Sequence, residues 1–195
     1  MKILMIMLLI LTNIIAYKKD MAIENLREDF YKATSSTKNE DLAEEVLKKL
    51  QKIVNKKYTP TRASYLGSIT AKMAIYSFFP WTKISYSKDG SKLLNQAIKE
   101  EPENIDVRLN RINTFINFPD FLKKNHFVQQ DARWLIKNLK NNIANITDDG
   151  KQNSYKILAM FFAKQKDDSR YKKYNSKLTN AKFIKDVKSF KISLE

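Results

Sequence analysis

Two arginines have the spacing that comes closest to a binding site in this chain. Arg108 and Arg111 are three residues apart, so a helix would place both guanidinium groups on neighbouring positions of one face. Such a pair can form a fork for the carboxylate of a bound peptide or for a phosphate. It can also form an internal ion pair with an acid of the next helix, for which Asp131 is the candidate. Both interpretations predict that the two arginines act together.

Residues suited to catalysis are sparse. The chain contains one histidine, His126, and no cysteine. We expect His126 in a loop beside Lys124 and Asn125, where no base and nucleophile are paired. One histidine and no cysteine are too few for a His/Cys metal site. Three glycines in the whole chain are too few for a glycine-rich phosphate loop. We therefore predict no enzyme, no cofactor and no metal.

Adjacent carboxylates are the remaining route to an enzyme. Neighbouring residues point apart on a helix, so adjacent acids do not make a ready two-acid site. Acids near helix starts are typical of capping and of a soluble surface. A hydrolase built from distant acids stays a third hypothesis, and it would need a pocket that gathers them. The adjacent pairs are Glu44/Glu45, Glu100/Glu101, Asp148/Asp149 and Asp167/Asp168.

Two aromatic segments are candidates for partner binding. Phe78-Phe79-Pro80-Trp81 should end a helix and place three rings in a turn, where they either plug the end of the helical stack or bind a partner. In Arg170-Tyr171-Lys172-Lys173-Tyr174, aromatic and basic residues alternate in a way that suits nucleic-acid bases or a lipid head-group interface. Tyrosines at this spacing also form the edge of a core.

The first sixteen residues, MKILMIMLLILTNIIA, combine one lysine with an apolar run and a small residue at the end. This pattern is typical of a secretory signal peptide. The apolar run is shorter than the roughly 20 residues that span a bilayer, which favours cleavage over an uncleaved anchor. We therefore expect export to the periplasm, the cell envelope or the exterior. Export also makes nucleic acid an unlikely partner.

The composition favours an all-α protein. The chain has 195 residues, of which 43% are hydrophobic and 29% charged, and it contains only 3 glycines and 4 prolines. We predict a signal peptide over 1–16, a single all-helical domain over 17–180 and a basic C-terminal tail over 181–195, extended or loosely attached. The apolar periodicity indicates about seven helices arranged in antiparallel hairpins.

The net charge is +15, and residues 151–195 hold twelve lysines or arginines against four acids. A basic surface on an exported protein can contact anionic lipid head groups, wall polymers or nucleic acid. It can also simply keep the protein soluble.

Several helix boundaries follow from capping residues. Thr37 and Glu40 fit a capping box for a helix over 38–57, and Thr59-Pro60 should start the next helix. Asn104 should cap the helix after Pro102, and Pro119 should stop it. We expect Phe121-Leu122 to enter the core and Asp148-Asp149-Gly150 to end the helix that contains Asp131.

The spacing of Gly90, Leu94, Ala97 and Pro102 resembles the second helix of a tetratricopeptide repeat, and Leu66-Gly67 resembles the start of its first. Over residues 61–136 the chain is similar to a group of exported bacterial proteins with tetratricopeptide-like folds. The residues that carry this likeness are Ala97-Ile98, Pro102, Asn104, Arg108, Arg111, Pro119, Phe121-Leu122 and Asp131. The resemblance implies an irregular repeat-like bundle and no particular activity.

We therefore predict an exported, non-enzymatic helical interaction protein that acts as an adaptor or scaffold in the cell envelope and binds another protein or a peptide. The alternative is a basic accessory protein that binds an anionic membrane or wall polymer. The candidate partner-binding residues are Arg108, Arg111, Trp81, Tyr171, Lys172 and Lys173.

Overall fold

The computed structural model describes residues 20–35, 37–140 and 146–194, so the predicted signal peptide lies outside the described residues. Within those ranges the chain is all-helical and contains no strand. No described helix is both long enough and apolar enough to cross a membrane. The helices are α1 (Met21–Glu24), α2 (Arg27–Ser35), α3 (Glu40–Lys56), α4 (Pro60–Met73), α5 (Pro80–Glu100), α6 (Ile105–Phe115), α7 (Asn125–Lys140), α8 (Asp148–Lys164), α9 (Asp168–Asn175) and α10 (Ala181–Ile192), with a 3-10 turn at Asp120–Leu122.

Helix α4 and helix α5 approach each other at two glycines. A Cβ atom on Gly90 would lie 2.5 Å from the carbonyl oxygen of Gly67 and 2.7 Å from the backbone nitrogen of Ala71. A Cβ atom on Gly67 would lie 2.9 Å from the carbonyl oxygen of Gly90. Real side chains do not tolerate such distances to backbone, so only glycine permits this crossing.

The described residues form two large clusters of buried apolar side chains and a small third one of Ala97, Ile98 and Val107. The first joins α1 to α4 and is built around Val46, Leu50 and Ile69. The second joins α5 to α10 and is built around Phe115, Leu135 and Phe162. Burial of these side chains is the main favourable contribution to folding.

Two of the predicted caps are confirmed. The Thr59 hydroxyl accepts a hydrogen bond from the Arg62 amide at 3.2 Å, and Pro60 is the first residue of α4. The Asn104 side chain accepts from the amides of Asp106 and Val107 and starts α6. Each cap satisfies amides that the first turn of a helix leaves without an internal partner.

The predicted capping box at Thr37 is wrong. Helix α3 starts at Glu40 with Asn39 in the cap position, and no side chain caps it. The Asn39 side chain instead donates to the carbonyl oxygen of Lys32 at 3.1 Å, which ties the start of α3 to the end of α2.

Two segments expected to end helices start them. Pro80 is the first residue of α5, which extends ten residues N-terminal to Gly90. Asp148 and Asp149 form the first turn of α8, and the Thr147 hydroxyl caps it by accepting from the Gly150 amide. Proline and acids both suit a helix start, because proline has no amide to satisfy and acids complement the positive end of the dipole.

The C-terminal segment is not a loosely attached tail. Residues Ala181–Ile192 form α10, capped by the Asn180 side chain, and they bury Phe183 and Val187 against the second cluster. With this helix, the described residues form more helices than the seven predicted. Phe121 was expected in the core, but it is 74% exposed in the 3-10 turn.

Candidate functional site

The Arg108 and Arg111 side chains bind the carboxylate of Asp131 on α7. Arg108 Nη1 donates to Asp131 Oδ1 at 2.8 Å, whereas Arg111 donates through Nε to Oδ2 at 2.8 Å and through Nη2 to Oδ1 at 2.7 Å. All three side chains are buried, and Asp131 is completely inaccessible to solvent. We refer to these three residues as the ion-pair cluster. The predicted ion pair with Asp131 is confirmed.

Neighbouring groups accept further hydrogen bonds from the two arginines of the ion-pair cluster. Arg108 Nε donates to the carbonyl oxygen of Pro102 at 2.6 Å. Arg111 donates to the side chains of Asn95 at 3.2 Å and Gln130 at 3.1 Å. A buried guanidinium group is tolerated only when its donors are paired in this way.

Two aromatic rings cover the guanidinium planes of the ion-pair cluster. The Trp134 ring lies 4.6 Å from the Arg108 guanidinium carbon, and the Phe127 ring lies 4.9 Å from that of Arg111. Trp134 Nε1 also donates to Glu103 at 3.1 Å. The arginine fork, one of whose predicted ligands was a partner's carboxylate, is thus occupied by the chain's own Asp131 and shielded by rings. Its role in this structure is to join α6 to α7.

The turn between α4 and α5 presents an exposed group of large apolar side chains. Phe78 is 87% exposed and Trp81 is 67% exposed, and Phe79 is about half exposed. The Phe79 and Trp81 rings stack with centroids 4.7 Å apart and planes at 17°, and Phe78 meets Phe79 edge to face at 5.2 Å. These rings therefore do not plug the end of the helical stack, which was one of the two expectations.

Two isoleucines enlarge this group. Ile75 and Ile84, from the two sides of the turn, are also at least half exposed. We call Ile75, Phe78, Phe79, Trp81 and Ile84 the aromatic tip. The sequence analysis missed both isoleucines. Ile75 lies in the turn after α4 ends at Met73, outside the apolar stripe of that helix, which was the available signal.

The charges around the aromatic tip are mainly positive. The segment from Lys72 to Lys88 contains three lysines and no acid. Lys83 and Lys88 are exposed, whereas Lys72 is half-buried and donates to the carbonyl oxygen of Thr34 at 3.2 Å. Burial lowers the pKa of Lys72.

An acid from α3 also reaches this end of the molecule. Burial raises the pKa of Tyr76, and the negative charge of Glu40 adds a smaller contribution in the same direction. Glu40 belongs to an open, polar depression beside α3 that is also lined by Lys32 and Lys38. This depression lacks the apolar lining typical of small-molecule sites.

The basic and aromatic candidates near the C-terminus lie on α9. Lys172 and Lys173 are exposed, but the Tyr171 ring is half-buried and carries the Lys191 ammonium 4.4 Å above it. Tyr174 is buried and stacks on Phe162 with planes at 9°. The tyrosines therefore form the edge of the core. They do not offer a free face to stack bases.

The residues considered for catalysis remain apart. His126 lies exposed in the first turn of α7 and not in a loop, with its ring 3.9 Å from that of Phe127. Glu45 pairs with Lys49 on the surface of α3, and Asp167 caps α9. In the part of the chain that the structure describes, no three His, Cys, Asp or Glu side chains are close enough to hold a metal ion.

A buried lysine was not predicted. Lys156 on α8 is 7% exposed, and its ammonium lies 4.8 Å from the centre of the Phe183 ring on α10. Burial lowers the pKa of Lys156 from 10.5 to about 8, with Asp186 opposing the shift. Its position beside Ile157 in an otherwise apolar run was the only signal in the sequence.

No protein-family model, no curated protein and no solved structure matches this chain. The likeness to exported tetratricopeptide-like proteins therefore stays a prediction. On the surface of the described residues, the aromatic tip is a feature that folding alone does not explain.

Proposed function

We propose that this chain is an exported, non-enzymatic helical interaction protein that serves as an adaptor or scaffold in the cell envelope. The observation that carries the proposal is the exposed aromatic tip. Soluble proteins rarely expose several large apolar side chains side by side unless that patch contacts a partner. Aromatic residues are also those that contribute most to binding at interfaces.

The scaffold is proposed to consist of antiparallel helical hairpins of the tetratricopeptide type. The glycine crossing of α4 and α5 supports this arrangement, because small residues at a crossing allow close packing of paired helices. The Asn104 cap, four residues after the end of α5 at Glu100, supports it too, because so short a connection favours antiparallel neighbours. In this proposal, the hairpins hold the aromatic tip in place.

Arg108 and Arg111 are assigned a structural part in this proposal. A partner's carboxylate would have to displace Asp131 from three hydrogen bonds in a buried site. Removing an acid from its buried cationic partners is costly, so an external carboxylate gains little by competing. The partner-binding residue retained from the sequence analysis is Trp81, and the proposed partner is another component of the cell envelope that contacts the aromatic tip.

Site-specific photocrosslinking in the native cell tests the proposal. A photoreactive amino acid at Phe78 should give a defined crosslinked product, because this side chain is 87% exposed within the tip. The matched control is the same amino acid at Phe121, an isolated aromatic that is 74% exposed elsewhere. The same products from both positions, or no product from Phe78 with either protein or lipid, would contradict a contact specific to the tip.

A second candidate function is that of a basic accessory protein that binds an anionic membrane or wall polymer through its C-terminal part. It is supported by the exposed lysines of α9 and α10, among them Lys172, Lys173, Lys185 and Lys188. The test is charge reversal at Lys185 and Lys188, because truncation after Asn180 would remove the core residues Phe183 and Val187. This function requires binding that weakens strongly with salt and is lost on charge reversal.

A further inference from the structure

We infer that the aromatic tip inserts into the surface of an anionic phospholipid bilayer. This inference rests on the proposed function, because it names the partner of the same contact surface. It places the membrane contact at the turn between α4 and α5, away from the basic helices at the C-terminus.

The side chains of the aromatic tip suit a membrane interface. Tryptophan prefers the boundary between head groups and acyl chains, where its ring is buried and its N–H stays hydrated. Phe78, at 87% the most exposed large apolar residue in the described part of the chain, projects from the turn just before Trp81. Ile75 and Ile84 add aliphatic surface on both sides. A bilayer can bury such a projecting group without the preformed pocket that a protein partner would need.

The charges beside the aromatic tip complement an anionic surface. Lys83 and Lys88 follow the tip in α5 and are exposed, and the segment from Lys72 to Lys88 contains no acid, whereas acids at this end of the molecule include Asp89, which follows Lys88, and Glu40 of α3. Each lysine near an anionic bilayer strengthens binding about fivefold at physiological salt. The net charge of +15 adds long-range attraction to the same surface. It also disfavours a second copy of the chain as the occupant, because two copies repel each other.

The tip is already held in its exposed arrangement in the unbound protein. Pro80 fixes the first turn of α5, and the stacked rings of Phe79 and Trp81 support one another. The glycine crossing holds α4 and α5 together behind the turn. A preformed tip loses little conformational entropy on binding, so its apolar surface contributes directly to affinity.

Tryptophan fluorescence provides the main test, because the chain has only two tryptophans. In a Trp134→Phe variant, Trp81 is the only tryptophan, so emission excited selectively from tryptophan reports on the tip, and the phenyl ring at 134 can still cover Arg108. The exported form of this variant is mixed with vesicles of phosphatidylcholine with or without phosphatidylglycerol. We expect a blue shift and protection from aqueous quenchers with the anionic vesicles only. The reciprocal Trp81→Phe variant retains Trp134 and should give no shift.

Vesicle co-sedimentation gives the corresponding affinities. Phe78→Ser should weaken binding at least tenfold, and Lys83→Gln with Lys88→Gln about fivefold for each lysine removed. Phe121→Ser is the matched control and should bind like the wild type. Circular dichroism and thermal unfolding verify that each variant is folded. We expect all of them to fold, because the substituted side chains are exposed.

Three results would overturn the inference. The first is the absence of a Trp81 shift with anionic vesicles, and the second is vesicle binding that ignores Phe78→Ser but is lost on charge reversal at Lys185 and Lys188. The third is a crosslink from Phe78 to a protein without vesicle binding, which would leave the proposed function standing. If Phe78 gives neither crosslink nor vesicle binding, both proposals fail.

Discussion

The guanidinium group of Arg111 forms two parallel hydrogen bonds with the carboxylate of Asp131, at 2.8 Å from Nε and 2.7 Å from Nη2. This bidentate geometry, with both side chains buried, joins α6 and α7 across the second apolar cluster. Arg108 adds a third bond, so that one carboxylate balances two buried cations. Removing Asp131 would leave both cations without a counter-charge.

The first prediction concerns that carboxylate. Asp131→Ala should lower the free energy of unfolding by about 3–5 kcal/mol, because two buried guanidinium groups lose their partner. Urea denaturation monitored by circular dichroism measures the change. The control is Asp89→Ala, which removes an exposed acid bound to Ser85 on α5 and should cost no more than about 0.5 kcal/mol. Equal losses from the two variants would contradict the structural part assigned to the ion-pair cluster.

The second prediction concerns the glycine crossing. Gly90→Ala should lower the free energy of unfolding by about 1–3 kcal/mol or more, because its Cβ atom meets the backbone of α4 and one helix must move. Gly150→Ala is the matched control. Its Cβ atom would meet a side-chain carbon of Ile146 and the capping hydroxyl of Thr147 at 3.2 Å, so these side chains need to move by only a few tenths of an ångström, whereas at Gly90 the backbone must move. We expect the smaller effect at Gly150, and a more stable Gly90→Ala protein would show that the two helices are not in close contact.

The third prediction concerns the pH dependence caused by Lys156. Its native pKa of about 8 is below the ordinary 10.5, so between these values the unfolded chain binds more protons than the folded one. The free energy of unfolding should therefore rise with pH across this window, and the cost of the buried charge is complete below it. The shift corresponds to roughly 3 kcal/mol.

Lys156→Met tests this assignment. At pH 7 the variant should be about 1–3 kcal/mol more stable than the wild type, and the difference should shrink towards pH 10. The control is Lys151→Met on the same helix, where Lys151 pairs with Asp148 at 3.6 Å near the surface. That variant should show no such trend. A Lys156→Met protein with the same pH profile as the wild type would refute the burial of the charge.

The fourth prediction compares two neighbouring residues of α10. Phe183→Ala should cost about 3–5 kcal/mol, because its ring is buried beneath Lys156 in the second cluster. Ile184→Ala, at a position that is 40% exposed, should cost much less. Thermal unfolding of both variants is sufficient. Similar stabilities would mean that the C-terminal segment is a loose tail after all.

Local chemistry in the sequence was enough to predict some of these features. Thr59-Pro60 and Asn104 are residues whose side chains or ring serve a helix start directly, so their roles depend little on the rest of the fold. The pairing of Asp131 with Arg108 and Arg111 was also predictable. Buried arginines need an acid as partner, and few acids of the sequence have a position from which they could reach this pair.

Other features depended on tertiary contacts that no local pattern reveals. Thr37 had the right spacing for a cap, but Asn39 is held by α2 and determines where α3 begins. The exposure of the aromatic tip could not be predicted either, because its sequence is compatible both with rings that plug the end of the helical stack and with rings on the surface. Helix α10 is a different case, because a local pattern in the sequence does indicate it. Phe183, Val187 and Phe190 recur at helical spacing, which the lysines between them obscured.

The glycine crossing also has a consequence for the evolution of this protein. At Gly67 and Gly90 a side chain would meet the main chain of the opposite helix, so a mutation at one position cannot be compensated by a smaller residue at the other. Both glycines should therefore persist together in diverged descendants. The turn that they support carries no such restriction. Lineages can exchange its rings for other side chains, and so change what the protein contacts, without altering how α4 and α5 pack.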